Sequence, residues 1–266
     1  MSEVKIAPIP DLGQRTDEIT IYAGPCSVES AEQFEEVAEC VADLGLHWIR
    51  GGAFKPRTNP HSFQGLGEEA LKIMKAAGDK YNLKTLTEVM DSAHCQLVSD
   101  YVDGLQVGAR NFQNFSLLKK IGQVTADTHQ MVLYKRGFAG TIAEWLAATD
   151  YITDHGNTNV VLCERGIRTF ETATRFTLDI AAVPVIHKQS LYPVCIDVSH
   201  PAGQRDLVPA LAKAAVAAGA DSLMIEVHPN PPVALSDGPQ QLTPAQFREL
   251  VAELRELAAC LGKKIV

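Results

Sequence analysis

Four residues of this sequence have the donor atoms to share one divalent cation: Cys26, His200, Glu226 and Asp237. A thiolate, an imidazole and two carboxylates make a mixed set suited to a borderline ion such as Mn, Fe, Co or Zn. Their spacing is not that of a zinc finger. Taken singly, Cys26 reads as a small buried residue and His200 as a strand-end hydrogen bonder, so a metal site requires that all four converge. His228, two residues after Glu226 and on the same side, competes as a ligand and ranks below them. A second group is cationic: Arg50, Lys55, Arg57, Arg110, Lys135, Arg136 and Arg165. Guanidinium forks match phosphate and carboxylate oxygens, and Lys supplies compact charge. Together they suit a ligand carrying phosphate plus carboxylate, or two phosphates.

Only a fold that gathers these residues makes them a site. Short apolar runs cover 19–26, 47–54, 84–90, 104–111, 130–136, 159–165, 194–200 and 222–228. Most are dense in Val, Ile and Leu rather than alternating, as in parallel strands covered by helices. Amphipathic stretches lie between them. Residues 31–44 place Phe34, Val37, Ala38 and Val41 at three- and four-residue spacing; 210–218 is alanine-rich; 243–261 begins with Thr243 as N-cap and Pro244 at the first helical position. Eight β-then-α units over 19–266 predict an α/β chain folded as a single (β/α)8 TIM barrel, with an open doubly wound sheet as the alternative. Residues 1–18 read as an extension: a strand over 4–9 and a turn at 10–13, forming a short hairpin that closes the bottom of the barrel.

In such a barrel, chemistry collects where the strands end. The apolar runs end on charged or metal-capable side chains, and packing alone does not concentrate cations at one mouth of a chain whose formal charge is -8. A focused positive field for a small anion is the expectation. The same net charge argues against a general nucleic-acid binder. The 266 residues, 46% of them hydrophobic, suffice for one large core. Six cysteines without a C-x-x-C pair do not suggest a disulfide framework. No apolar run is long enough for a signal peptide or membrane span, so a cytoplasmic setting without a membrane partner is expected.

Several short motifs go further. Gly24-Pro25-Cys26-Ser27, Lys55-Pro56-Arg57-Thr58, Gly108-Ala109-Arg110-Asn111, Lys135-Arg136-Gly137, Cys163-Glu164-Arg165-Gly166 and Ser199-His200-Pro201 resemble type I 3-deoxy-D-arabino-heptulosonate 7-phosphate (DAHP) synthases of the shorter β subfamily. The resemblance runs from about Ile19 to the C-terminus. It implies a metal-dependent, aldol-type condensation of phosphoenolpyruvate with erythrose 4-phosphate, the first step of the shikimate pathway. Residue by residue, it implies that Arg50, Lys55, Arg110, Lys135 and Arg165 bind phosphoenolpyruvate. Lys55, Arg57 and Thr58 would clamp erythrose 4-phosphate, and Cys26, His200, Glu226 and Asp237 would hold the metal. Lys55, Lys135 and His200 are read as the catalytic residues. Lys135, Glu88 and a metal-bound water stay open as the group that activates water, and Asp197 is read as orienting its neighbours. Asn59, His61 and Tyr134 depart from the usual pattern without removing a charge. The resemblance also implies a homodimer or homotetramer, and no added ferredoxin-like or chorismate-mutase domain.

Three other readings stay open. The nearest is a 3-deoxy-D-manno-octulosonate 8-phosphate synthase, which resembles the same motifs but typically has Lys-Ala-Asn-Arg in place of Lys55-Pro56-Arg57-Thr58. Another is a Schiff-base aldolase with Lys135 as nucleophile. The last is a non-catalytic barrel that senses phosphometabolites.

Overall fold

A computed structural model describes residues 17–56, 59 and 61–266. Eight parallel strands form a ring: β1 (Glu18–Gly24), β2 (Trp48–Arg50), β3 (Lys84–Val89), β4 (Gly104–Val107), β5 (Met131–Lys135), β6 (Val160–Glu164), β7 (Val194–Asp197) and β8 (Ser222–Glu226). Neighbours pair in order from β2 to β8, then β8 with β1, and the β1–β2 pairing closes the ring. Among the described residues nine helices accompany them: α1 (Ala31–Asp43), α2 (Glu68–Tyr81), α3 (Cys95–Ser99), α4 (Phe115–Val124), α5 (Ile142–Thr153), α6 (Ala182–Gln189), α7 (Ser199–Ala202), α8 (Val208–Ala217) and α9 (Pro244–Cys260). The fold is the expected (β/α)8 barrel. The expected N-terminal hairpin over 4–13 lies outside the described residues.

Strand side chains divide by the pleat, because successive residues point to opposite faces. Tyr22, Trp48, Leu86, Met131, Leu133, Val161, Cys163, Cys195 and Met224 pack together as one apolar cluster filling the ring. Alternate residues such as Ile21, Ile49, Val132, Leu162 and Ile196 join a larger cluster with the helices. The interior is therefore closed by side chains, and polar strand ends are left to one mouth. Local capping agrees with the pattern read from sequence. Ser30 accepts the Gln33 N–H at the start of α1, and Thr243 forms a capping box with Gln246 ahead of Pro244.

The structure shortens the strands. β2 has three residues rather than eight, β4 gives way to a 3-10 turn at Ala109–Asn111, and β7 stops at Asp197. Arg110 and His200 therefore sit on helical turns, not on strands. A ninth strand, β9 (Lys264–Ile265), was not foreseen. It pairs with the start of β1, with Glu18 opposite Lys264 and Ile19 opposite Ile265. The cause is the short β2, whose register on β1 starts only at Tyr22. The lower edge of β1 would otherwise leave backbone groups unpaired, and the C-terminal residues satisfy them.

Candidate active site

At the C-terminal end of β1, Gly24 lets two strands meet closely. A Cβ there would lie 1.9 Å from the Arg50 carbonyl oxygen, a position only glycine allows. This approach brings Cys26 beside the end of β2. Arg50, the last residue of β2, donates from Nη1 to the Pro25 carbonyl at 2.9 Å and to Glu226 Oε1 at 3.0 Å. Lys55 follows after Gly51 and Gly52; its Nζ donates to the Cys26 carbonyl at 2.9 Å and lies 3.1 Å from Cys26 Sγ.

The mouth holds a cavity of about 80 Å³ lined by Arg50, Lys55, Arg110, Lys135, Arg165 and Arg175, with Glu88 and Asp237 as its carboxylates. Six cations thus gather in one cavity of a chain whose formal charge is -8. Arg165 is its most telling member. The guanidinium lies over the rings of Phe176 and Phe138, at 4.1 and 5.0 Å from their centroids. It is 4% exposed, and Nη1 has no hydrogen-bond partner among the described residues. Burial pulls its pKa down, partly opposed by Asp197. A buried, unsatisfied guanidinium nitrogen in a cavity calls for an anion.

Lys135, at the end of β5, donates to Asp197 Oδ2 at 2.6 Å. The same oxygen is 2.7 Å from His200 Nδ1, while Asp197 Oδ1 accepts the backbone N–H groups of Ser199 and His200. Burial pushes the Asp197 carboxyl up, but His200 and Lys135 outweigh it and hold the group well below the usual range. Burial pulls the His200 imidazole down, which favours the neutral form against the pull of Asp197. With Nδ1 turned to a carboxylate, Nε2 is the nitrogen left for a ligand role, because a carboxylate on one ring nitrogen commonly orients the other toward a metal. It lies 3.6 Å from Glu226 Oε1 and 3.8 Å from Asp237 Oδ2.

The donor set fits a metal. One ligand atom each from Cys26, Glu226 and Asp237 lie within 4.8 Å of one another, with Cys26 Sγ 3.5 Å from Asp237 Oδ2. Ligands bound at about 2.0–2.3 Å around one ion are a few ångströms apart, so the spread is right. Burial and Glu226 lift the Cys26 thiol to about 12, against the opposing Lys55, so a thiolate here needs a cation held against it. Each anionic candidate already has one nearby: Lys55 at Cys26, Arg50 at Glu226, and Arg175 at Asp237, 3.1 Å apart.

Of the four expected metal residues, Cys26, Glu226 and Asp237 group together; His200 reaches Glu226 and Asp237 but is not part of that group, and Arg50, Lys55, Arg110, Lys135 and Arg165 share the adjoining cavity. Arg57 and Thr58 lie outside the described residues. Arg136 corrects the reading of the cationic group. It alternates with Lys135 and so points out of the ring, where Nη1 binds Glu164 at 2.9 Å and Asp179 at 2.7 Å and Nε donates to Gly140. His228 turns to Glu29, 3.4 Å away, and its Nδ1 accepts the Asn230 N–H. Residues missed from sequence are Phe138, Phe176, Arg175, Gln106 and Gln240. Gln106 donates to Glu88 Oε2 at 3.2 Å and Gln240 to Glu226 Oε2 at 2.6 Å. Arg175 and Phe176 belong to the connection between β6 and α6, which strand-end reading passes over. Its unusual length was an available signal, since long connections in compact domains are often functional.

Comparison with known proteins places the chain in a family. The model of the DAHP synthetase I family matches residues 12–261. A phospho-2-dehydro-3-deoxyheptonate aldolase of Thermotoga maritima is 52% identical over 246 residues, covering 92% of this chain and 72% of the relative. The crystal structure of that organism's DAHP synthase superposes with a TM-score of 0.90 at 50% identity, covering 94% of this chain and 72% of the other. A truncated form of the Thermotoga maritima enzyme gives 0.88 at 47% identity, covering 96% and 94%. A 2-dehydro-3-deoxyphosphooctonate aldolase of Caulobacter vibrioides is 32% identical over 262 residues, covering 90% of this chain and 87% of the relative. The chain belongs to the DAHP synthetase I family.

Proposed function

We propose that this protein condenses phosphoenolpyruvate with erythrose 4-phosphate and water, giving 3-deoxy-D-arabino-heptulosonate 7-phosphate and inorganic phosphate. The observation that carries the reading is one cavity lined by six cations together with His200 and Asp237, and Asp237 in turn groups with Cys26 and Glu226 just behind that wall. One feature suits an enol donor with two anionic groups, a phosphate and a carboxylate, and the other an aldehyde.

Arg50, Lys55, Arg110, Lys135 and Arg165 hold the phosphate and carboxylate of phosphoenolpyruvate. Lys55 bridges the two substrates beside Cys26, and Arg57 and Thr58 clamp the sugar phosphate. C3 of the enol forms the new bond to the aldehyde carbon, water adds at C2, and phosphate leaves by C–O cleavage. The cations contribute chiefly by holding two anions that repel each other; orientation of this kind is worth up to about 7–11 kcal/mol. Cys26, His200, Glu226 and Asp237 would hold a divalent ion of the Mn, Fe, Co or Zn class. Such an ion supplies Lewis-acid polarisation of the aldehyde oxygen. Asp197 keeps Lys135 and His200 in register with each other, at 2.6 and 2.7 Å.

The octulosonate reading is retained as the second one, because relatives of that name are 32–33% identical over most of the chain. Offering erythrose 4-phosphate and arabinose 5-phosphate together decides between them. Phosphate release should follow the four-carbon sugar by a wide margin; preference for the five-carbon sugar would overturn the assignment. A homodimer or homotetramer in the cytoplasm completes the proposal, checked by sedimentation and fractionation. Among the described residues, no helix is long and apolar enough to cross a membrane.

A further inference from the structure

The loop between β8 and α9 carries Asp237 without regular structure to hold it. Asp237 itself adopts a left-handed backbone, φ +49°, between two short 3-10 turns at Pro231–Val233 and Gly238–Gln240. Asp tolerates that conformation, and its flanks are tied, Ser236 to Ser27 at 2.7 Å and the Gly238 carbonyl to Arg205 at 3.1 Å, but those contacts hold the loop rather than the carboxylate. The fixing contact comes from a different part of the barrel. The connection from β6 to α6 folds back on itself through an antiparallel bridge between Ile167 and Thr177. The Phe176 N–H is anchored on the Pro201 carbonyl. At its far end Arg175 crosses to the β8–α9 loop.

A single Nη1 of Arg175 reaches two acceptors, Asp237 Oδ2 at 3.1 Å and Gln240 Oε1 at 2.8 Å. With its Oε1 held, the Gln240 amide can turn only its Nε2 toward Glu226, and it donates to Oε2 at 2.6 Å. One arginine therefore touches one candidate metal carboxylate directly and the other through a single amide. The remaining Glu226 oxygen, Oε1, faces Arg50 and His200. We infer that Arg175 is a positioning residue of the metal centre, orienting Asp237 directly and Glu226 through Gln240.

The inference rests on the metal site proposed above. Two effects of Arg175 oppose each other. Its positive charge beside Asp237 repels an incoming cation, while its contacts preset two of the four ligands. A third of the side chain (36%) is open to solvent, which screens the charge but leaves the hydrogen-bond geometry intact. Orientation therefore outweighs repulsion, and loss of an outer-shell partner of this kind typically costs about 10–100-fold in metal affinity.

The test is equilibrium binding of Co²⁺ to the metal-stripped full chain, followed by the thiolate charge-transfer and d–d absorption bands. R175A removes both charge and contacts; R175K keeps the charge on a side chain one bond shorter, which withdraws its nitrogen from the point where Nη1 spans Asp237 and Gln240. Circular dichroism and melting confirm that each variant is folded, and this partly exposed loop residue should be dispensable for folding. The expectation is a weaker Kd for both variants, by about 10–100-fold, with an altered d–d envelope and a retained thiolate band. A folded R175A or R175K that binds Co²⁺ as tightly as the parent, or more tightly, overturns the inference. Failure of the parent itself to show a thiolate band that vanishes in C26S would instead remove the metal site, and Arg175's role with it.

Discussion

Lys135 and Arg136 are adjacent and equally cationic, yet they do unrelated work. Lys135 faces the cavity and Asp197, whereas Arg136 faces Glu164 and Asp179 behind the strand. Sequence shows the two charges; only the pleat shows which one enters the ring. Removing Arg136 would leave Glu164, fully buried, with the Gly166 N–H as its remaining donor partner. R136A should therefore lose about 3–5 kcal/mol of stability in urea melts, while KM for phosphoenolpyruvate in the folded fraction stays at the parent value. A raised KM with unchanged stability would return Arg136 to the substrate site. Most of the site was readable because its chemistry is carried by rare residue types at strand ends: Cys26, Glu226, Lys135. Gln106, Gln240 and the two phenylalanines were not, because amides and rings are common everywhere and gain meaning only from what they touch. Arg175 was hidden for a different reason: it lies far from any strand end in sequence.

At the scale of elements, the apolar runs located every barrel strand but overstated their length. Runs such as 47–54 continue through Gly51, Gly52 and Ala53 because those residues are buried, although the ladder stops at Arg50. Burial and strand pairing coincide in most of a barrel and part company at its mouth, where the chain must turn to present side chains. β9 was invisible because two residues show no periodicity, and its pairing depends on the missing lower half of β2. The β1–β2 seam also depends on glycine. G24A would drive a methyl group into the Arg50 carbonyl and displace the residue that binds Glu226. It should cost more than about 1 kcal/mol in denaturant midpoint analysis, since the native backbone suits Ala badly. A neutral substitution would mean that the two strands can part without consequence.

Over the whole molecule, charge is segregated rather than balanced. A chain with formal charge -8 gathers six cations around one cavity and sets three of them against the anionic members of the metal donor set. The candidate metal donors and the cationic cavity thus share one mouth, while the apolar ring below keeps the framework closed. The β/α rhythm, the strand-end charges and the family motifs all pointed to this arrangement from sequence, because barrel topology repeats locally. The central claim is that the Cys26, His200, Glu226 and Asp237 set makes the condensation metal-dependent. It is tested most directly by stripping the protein with a chelator and measuring phosphate release from phosphoenolpyruvate and erythrose 4-phosphate, before and after adding back Mn, Fe, Co or Zn. The account predicts negligible turnover in the stripped protein and recovery with one bound ion per chain; full turnover with chelator present and no metal bound would contradict it.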